Sequence, residues 1–109
     1  FTYLSDAVHT DAYLSYVYLS NADLAGADLT DTDLSNAKIS DADLSNADLA
    51  GADLSNTDLS DADFAGADFA GTDFSGADFP GADFSDANSR YADFSGTDFS
   101  STDLTDVER

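Results

Sequence analysis

Every fifth residue of this chain is large and apolar, and the beat holds from one end to the other. From Leu4 the series runs His9, Leu14, Leu19, Leu24, Leu29, Leu34, Ile39, Leu44, Leu49, Leu54 and Leu59, then Phe64, Phe69, Phe74, Phe79, Phe84, Ser89, Phe94, Phe99 and Leu104. Only His9 and Ser89 break it. Two residues before each of these positions stands Ala, Thr or Val, and Asp lies between the pair in fifteen words, beginning at Asp23. Ser, Thr or Ala usually follows the large residue, then a turn former such as Gly26, Asn36, Asp41 or Gly51.

A period of five fits neither an α-helix, with about 3.6 residues per turn, nor a long alternating strand. It fits a short extended piece followed by a corner. In the extended piece residues two apart face one side, so the small and the large residue point inward and the Asp between them points out. Gly, Asn or Asp then supplies the turn. Four such sides close a coil of about twenty residues, stacked on the next at about 4.8 Å, and the whole chain makes about 5.5 coils.

The word A-D-L-S-N at Ala42 to Asn46 resembles the pentapeptide repeat family, and the resemblance covers all 109 residues in unbroken phase. It implies an all-β fold, the right-handed quadrilateral β-helix, as one domain over 1–109. Within it 1–20 form an aromatic-rich first coil, 21–60 Leu-centred coils, 61–104 Phe-centred coils and 105–109 a tail. Stacking residues twenty apart, as that geometry implies, predicts that Phe64, Phe69, Phe74 and Phe79 share one interior layer. It also sets the two exceptions, His9 and Ser89, on one face. Layers of like size are expected to pack without voids.

Composition alone argues the other way. Leu, Ile, Val and Phe total 23 of 109 residues, and the formal charge is −20. That is close to the level, about 20%, at which a strongly charged chain stays disordered. Two inward positions kept in register along the chain outweigh it, because coils that stack bury a continuous core.

The acidity excludes a direct nucleic-acid partner and favours a cationic surface or abundant counterions. Outward Asp columns such as Asp23, Asp43, Asp63, Asp83, Asp103 and Asp33, Asp53, Asp73, Asp93 set like charges at the coil spacing. Lys38 and Arg90 read as local relief. There is no cysteine, no apolar run long enough to span a membrane and no signal-peptide pattern. The first residue is Phe1 rather than Met, so a processed or partial chain is expected, with the compartment and a removed signal peptide left open.

Chemistry has few residues to work with. His9 has neither Cys nor a second His to share a metal and reads as a structural histidine. Ser89 has no base that the sequence places in reach. Acid pairs on a convex exterior lack the set-apart carboxyl of hydrolytic dyads. The chain is therefore read as no enzyme and without cofactor; divalent cations on the Asp columns are the one exception left open, and no calcium-loop motif is present.

Phe1, Tyr3, Tyr13, Tyr16 and Tyr18 place outward aromatic residues in the first coil, either as an interface or as a local cap. The expected role is a non-enzymatic acidic structural or protein-interaction scaffold, its partner another protein or itself, as a homo-oligomer or part of a larger chain. The alternative, implied by the family resemblance, is a DNA mimic that binds a type II topoisomerase, DNA gyrase: about 1.3 Å of coil axis per net charge compares with about 1.7 Å in duplex DNA. A Ser array at Ser20, Ser40, Ser60 and Ser100 for an ice surface is interrupted by Pro80.

Overall fold

The amides of one word, followed to their acceptors, account for the whole architecture. In Ala42 to Asn46, Ala42 N–H donates across the preceding corner to Ile39 O at 3.3 Å. Asp43 N–H reaches back one coil to Ala22 O at 2.9 Å, while Leu44 and Asn46 N–H reach forward to Asp63 O at 2.7 Å and Ala65 O at 2.9 Å. The fifth amide, that of Ser45, has no backbone acceptor and goes to Asp43 Oδ1 at 2.9 Å. All five donors are satisfied, as a largely buried backbone requires. The word 52–56 repeats the scheme, from Ala52 N–H to Leu49 O through Asn56 N–H to Ser75 O, with Ser55 N–H on Asp53 Oδ1.

This computed structural model describes residues 7, 12–97, 99 and 101–108. Over that range the chain is a β-helix solenoid whose β-structure consists of single-residue parallel bridges with a register of twenty: Tyr13 to Asp33, Asp33 to Asp53, Asp53 to Asp73 and Asp73 to Asp93 form one column. A turn follows each bridge, four to every twenty residues. The extended pieces are too short to count as strands because a corner intervenes every five residues. The body measures 27 × 24 × 22 Å, nearly as wide as it is long.

The corners impose a left-handed backbone. Among the described residues, twelve non-glycine residues, Tyr16, Asn36, Asp61 and Ser101 among them, and all seven glycines have φ between 53° and 75°. Asn and Asp tolerate this conformation better than other side-bearing residues, which is why they alternate with Gly there. At four corners a neighbouring side chain also crowds the position: a Cβ at Gly51 or Gly81 would lie 2.2 Å from Asp31 or Asp61 Oδ1, and one at Gly66 or Gly76 2.5 Å from Asn46 or Asn56 Oδ1.

Inside, the small and large positions form one core from Leu19 to Ala87. Phe64, Phe69, Phe74 and Phe79 are wholly buried. Their successive ring centroids stand 5.1 to 6.1 Å apart at steep angles, edge to face. Between coils, Phe64 stacks on Phe84 at 4.9 Å and Phe74 on Phe94 at 5.2 Å, nearly parallel. Buried threonines carry their own acceptors: Thr32 and Thr57 Oγ1 donate to Leu29 O and Leu54 O at 2.7 and 2.6 Å, and Thr72 Oγ1 reaches Leu49 O at 2.7 Å. At the last described coil an open apolar space of about 440 Å³ is lined by Phe69, Phe84, Ser89, Phe94, Phe99 and Leu104 among others.

Candidate functional site

The exterior is built from the Asp of each word, and that residue is a structural acceptor before it is a charge. Its carboxylate accepts from the amide two residues on, at 3.0 Å in Asp33 and 2.8 Å in Asp73 and Asp83. Where Ser or Thr follows, the hydroxyl commonly adds a second bond: Ser55 Oγ donates to Asp53 Oδ1 at 2.6 Å and Thr105 Oγ1 to Asp103 Oδ1 at 2.6 Å. The hydroxyl of Ser95 does the same for Asp93. These bonds favour the ionised form. The Ser35 hydroxyl, then its amide, hold Asp33 below the ordinary aspartate value; Ser95 does so for Asp93 and Thr105 for Asp103. For these three the local donors prevail over desolvation, which by itself would raise them.

The sequence does not announce this role when Asp is read only as an outward charge. The available signal is a hydroxyl two places after Asp in ten of the fifteen words, the pattern of an Asx turn.

Departures from the word define the surface features. Tyr13 and Tyr18 flank the corner residue Tyr16 on adjacent sides of one coil, and the three are 89%, 76% and 70% exposed. Tyr18 bridges to Lys38, which bridges to Asp58, so one cation interrupts that column. Phe1, Tyr3 and His9 lie outside the described residues, as does Ser100. Ser20 and Ser40 share a hydroxyl–hydroxyl bond of 3.1 Å, whereas Ser60 Oγ turns to Asp58 Oδ1 at 2.7 Å.

At the other end the chain folds over Ser89. Ser89 N–H and Oγ both donate to Glu108 O, at 2.7 and 2.9 Å. Glu108 N–H returns to Ala87 O at 2.8 Å. Arg90 Nη2 pairs with Glu108 Oε1 at 2.5 Å. The sequence places Arg90 beside Asn88 and Tyr91; Asn88 Oδ1 accepts the Arg90 amide at 3.1 Å, while the ion pair spans eighteen residues, a spacing matching no single column. Ser89 is buried with its hydroxyl already committed.

Among the described residues no group of three His, Asp or Glu side chains is arranged to hold a metal ion, and no helix is long and apolar enough to cross a membrane. The arrangement offers two surface features: carboxylate ladders and an exposed tyrosine cluster.

Comparison with known proteins places this geometry. A family model described as Pentapeptide repeats matches residues 10–46, 42–80 and 67–106 in eight copies. A pentapeptide repeat protein of the cyanobacterium Cyanothece 51142 has a similar structure, with a TM-score of 0.63 and 21% identity over 93% of this chain and 86% of that one. A pentapeptide repeat protein of the Arabidopsis thaliana thylakoid lumen gives 0.53 and 33%, over 79% of this chain and 63% of the other. This chain thus spans less than two thirds of the Arabidopsis protein. QnrB1, a plasmid-mediated fluoroquinolone resistance protein, gives 0.42 and 22%, over 94% of this chain and 57% of that one, which carries no argument. Curated proteins gave no match. With the family profile running across nearly the whole beat and the coil register of twenty beneath it, this chain belongs to the pentapeptide repeat family.

Proposed function

We propose that the chain is a non-enzymatic, highly acidic structural and protein-interaction scaffold that self-associates end to end, built as a right-handed four-sided coil of about 5.5 turns of about twenty residues. The observation that carries this is the exposed cluster of Tyr13, Tyr16 and Tyr18 on an otherwise acidic exterior. Aromatic residues so exposed supply large contact area at low entropic cost when a partner covers them. Catalysis is disfavoured because the carboxylates line a convex surface and the hydroxyl of Ser89 is committed to Glu108.

Light scattering and sedimentation over rising protein concentration test the reading, with Tyr13, Tyr16 and Tyr18 each replaced by Ser in the comparison protein. Association that the triple variant weakens is the expected result. A wild-type chain that remains an inert monomer overturns it.

One observation favours a second reading, a DNA mimic directed at DNA gyrase. The net charge of −20 along the longest dimension of 27 Å amounts to one charge per about 1.4 Å, against about 1.7 Å for duplex DNA. A gyrase supercoiling assay decides: no inhibition or protection at micromolar protein removes this reading.

A further inference from the structure

We infer that Ser20, Lys38 and Ser40 form a binding site for a carboxylate, which supplies from outside the oxygen that Asp supplies in the words around them. In those words the amide two residues after Asp is taken by the Asp carboxylate: Ser35 N–H by Asp33 Oδ1 at 3.0 Å, Ser45 N–H by Asp43 Oδ1 at 2.9 Å and Ser60 N–H by Asp58 Oδ1 at 3.1 Å. Tyr18 and Lys38 stand at the Asp position of their own words and offer no carboxylate. Among the described residues the amides of Ser20 and Ser40 therefore have no acceptor. Backbone N–H groups are nearly always paired, and unpaired amides of a turn make concavities that take anions.

The stacked pair is confined to this face. Tyr13 also leaves the Ser15 amide without an acceptor among the described residues, but the next coil follows it with Asp33, which holds the Ser35 amide. Tyr18 bridges to Lys38, so here two unpaired amides lie one coil apart, about 4.8 Å. Leu19 N–H on Lys38 O at 2.7 Å and Asn21 N–H on Ser40 O at 2.9 Å hold the two coils in register. The hydroxyls of Ser20 and Ser40 meet at 3.1 Å, and since only one of the two donates in that bond, the other proton is left for a ligand. Charge decides the kind of oxygen. Lys38 is exposed, and no ion pair holds it among the described residues. A cation beside unpaired amides favours an anionic acceptor, whose hydrogen bonds are about twice as strong as those of a neutral one. A carboxylate suits the donors because in the next coil one already accepts an amide and a hydroxyl together, from Ser60 at 3.1 and 2.7 Å. The net charge of −20 favours a singly charged ligand over a more highly charged one. The inference does not rest on the scaffold reading, since the donors are amides and hydroxyls and not tyrosine rings.

The test is an NMR titration of the whole chain with sodium acetate, sodium chloride making up a constant ionic strength of about 0.15 M, where charges beyond about 8 Å are largely screened. Saturable shifts of the Ser20 and Ser40 amides are expected, with the Ser35 and Ser45 amides unmoved. Lys38→Asp restores the word used by the neighbouring coils, so it should fold, and it should abolish the Ser40 shift. Lys38→Gln keeps both amides and removes the cation, and should weaken acetate at least about threefold. Dilution without acetate separates two sources of the carboxylate. Ser20 and Ser40 shifts that depend on protein concentration and are reversed by acetate assign it to an Asp of a second copy; shifts independent of concentration assign it to a free small molecule. The inference is overturned if neither amide shift begins to saturate by about 0.15 M acetate, if the Ser35 and Ser45 amides move as far as those of Ser20 and Ser40, if Lys38→Gln binds as well as wild type, or if Ser40 still saturates in Lys38→Asp.

Discussion

Replacing Asp53 tests whether the acidic exterior costs the fold more than it contributes. Asp53 stands in a column between Asp33 and Asp73. At about 4.8 Å per coil, each like-charge contact costs about 0.9 kcal/mol in water, so the two neighbours cost about 1.7 kcal/mol. Screening at 0.15 M reduces the sum to about 1 kcal/mol. Against that, Asp53 Oδ1 accepts the Ser55 amide at 2.9 Å and its hydroxyl at 2.6 Å. At about 0.5 to 1.5 kcal/mol per bond at a half-exposed site, these contribute about 1 to 3 kcal/mol. The hydrogen bonds win in salt, and the two effects nearly cancel without it.

Two substitutions separate them. Asp53→Asn removes the charge and keeps an acceptor; Asp53→Ala removes both. Thermal unfolding followed by circular dichroism is expected to place Asp53→Asn at or above wild type in 10 mM salt, where the Debye length is about 30 Å. That advantage should shrink at 1 M. Asp53→Ala should melt below wild type, and further below as salt rises, because the relief of repulsion disappears while the lost bonds do not return. A net loss of 1 kcal/mol in a domain of this size moves Tm by about 4 to 8 °C. Asp48 is the internal control. It lies between Asp28 and Asp68 but receives only the Ala50 amide at 3.1 Å, with no hydroxyl, so Asp48→Ala should cost about half as much. The reasoning is refuted if Asp53→Ala matches Asp53→Asn at 1 M salt, or if wild-type Tm is flat across ionic strength.

Phe74→Ala should destabilise by about 3 to 5 kcal/mol, since its ring is wholly buried and stacks on Phe94; denaturant unfolding measures it, and a loss under 1 kcal/mol would mean the aromatic layers collapse around the gap. Asp33, Asp93 and Asp103 sit below the ordinary aspartate value of 3.8, so their contribution to stability is present above 3.8 and lost as pH falls through their lower folded values. Carboxylate NMR titration should put these midpoints under 3.8, and Ser35→Ala should raise that of Asp33; an unmoved midpoint would remove the hydroxyl as the cause. Gly51→Ala and Gly71→Ala both place a side chain at positive φ, but only at Gly51 would the new Cβ meet a carboxylate, that of Asp31 at 2.2 Å. Gly51→Ala should therefore melt lower, and equal melting temperatures would mean that Asp31 swings away without penalty.

The coil was legible because each word carries two inward positions, and their spacing excludes both helix and long strand. The step from Leu59 to Phe64 made the aromatic layer legible too. What escaped was everything that depends on side-chain direction. Asp43 reads as outward charge, yet its carboxylate closes the hydrogen-bond account of its own word. Arg90 and Glu108 are eighteen residues apart, and a column argument cannot join them because both are long enough to reach across a corner. Ser89 was visible as an exception. What its hydroxyl does is decided by side-chain direction, which turns it to Glu108 O at 2.9 Å. The tyrosine cluster was legible as a departure from the word, but its partner leaves no mark on this chain.

The acceptor role of Asp also sharpens what the charge means. Most words use one side-chain oxygen for an amide that the backbone does not satisfy, and a neutral residue can provide it: Asn88 Oδ1 accepts the Arg90 amide at 3.1 Å in the place where other words carry Asp. Asn88 Nδ2 even donates to Asp68 Oδ1 at 3.3 Å, turning a repulsive rung into an attractive one. Asparagine throughout would thus close the same coil without the stacked charges. Lys38 makes the complementary point, since it offers no oxygen and its column still bridges from Tyr18 to Asp58. Fifteen words nonetheless carry Asp at this position. The solenoid uses the oxygen and not the charge, and tolerates single words without either, so the charge calls for a reason outside the fold, in solvation or in a partner that is itself cationic.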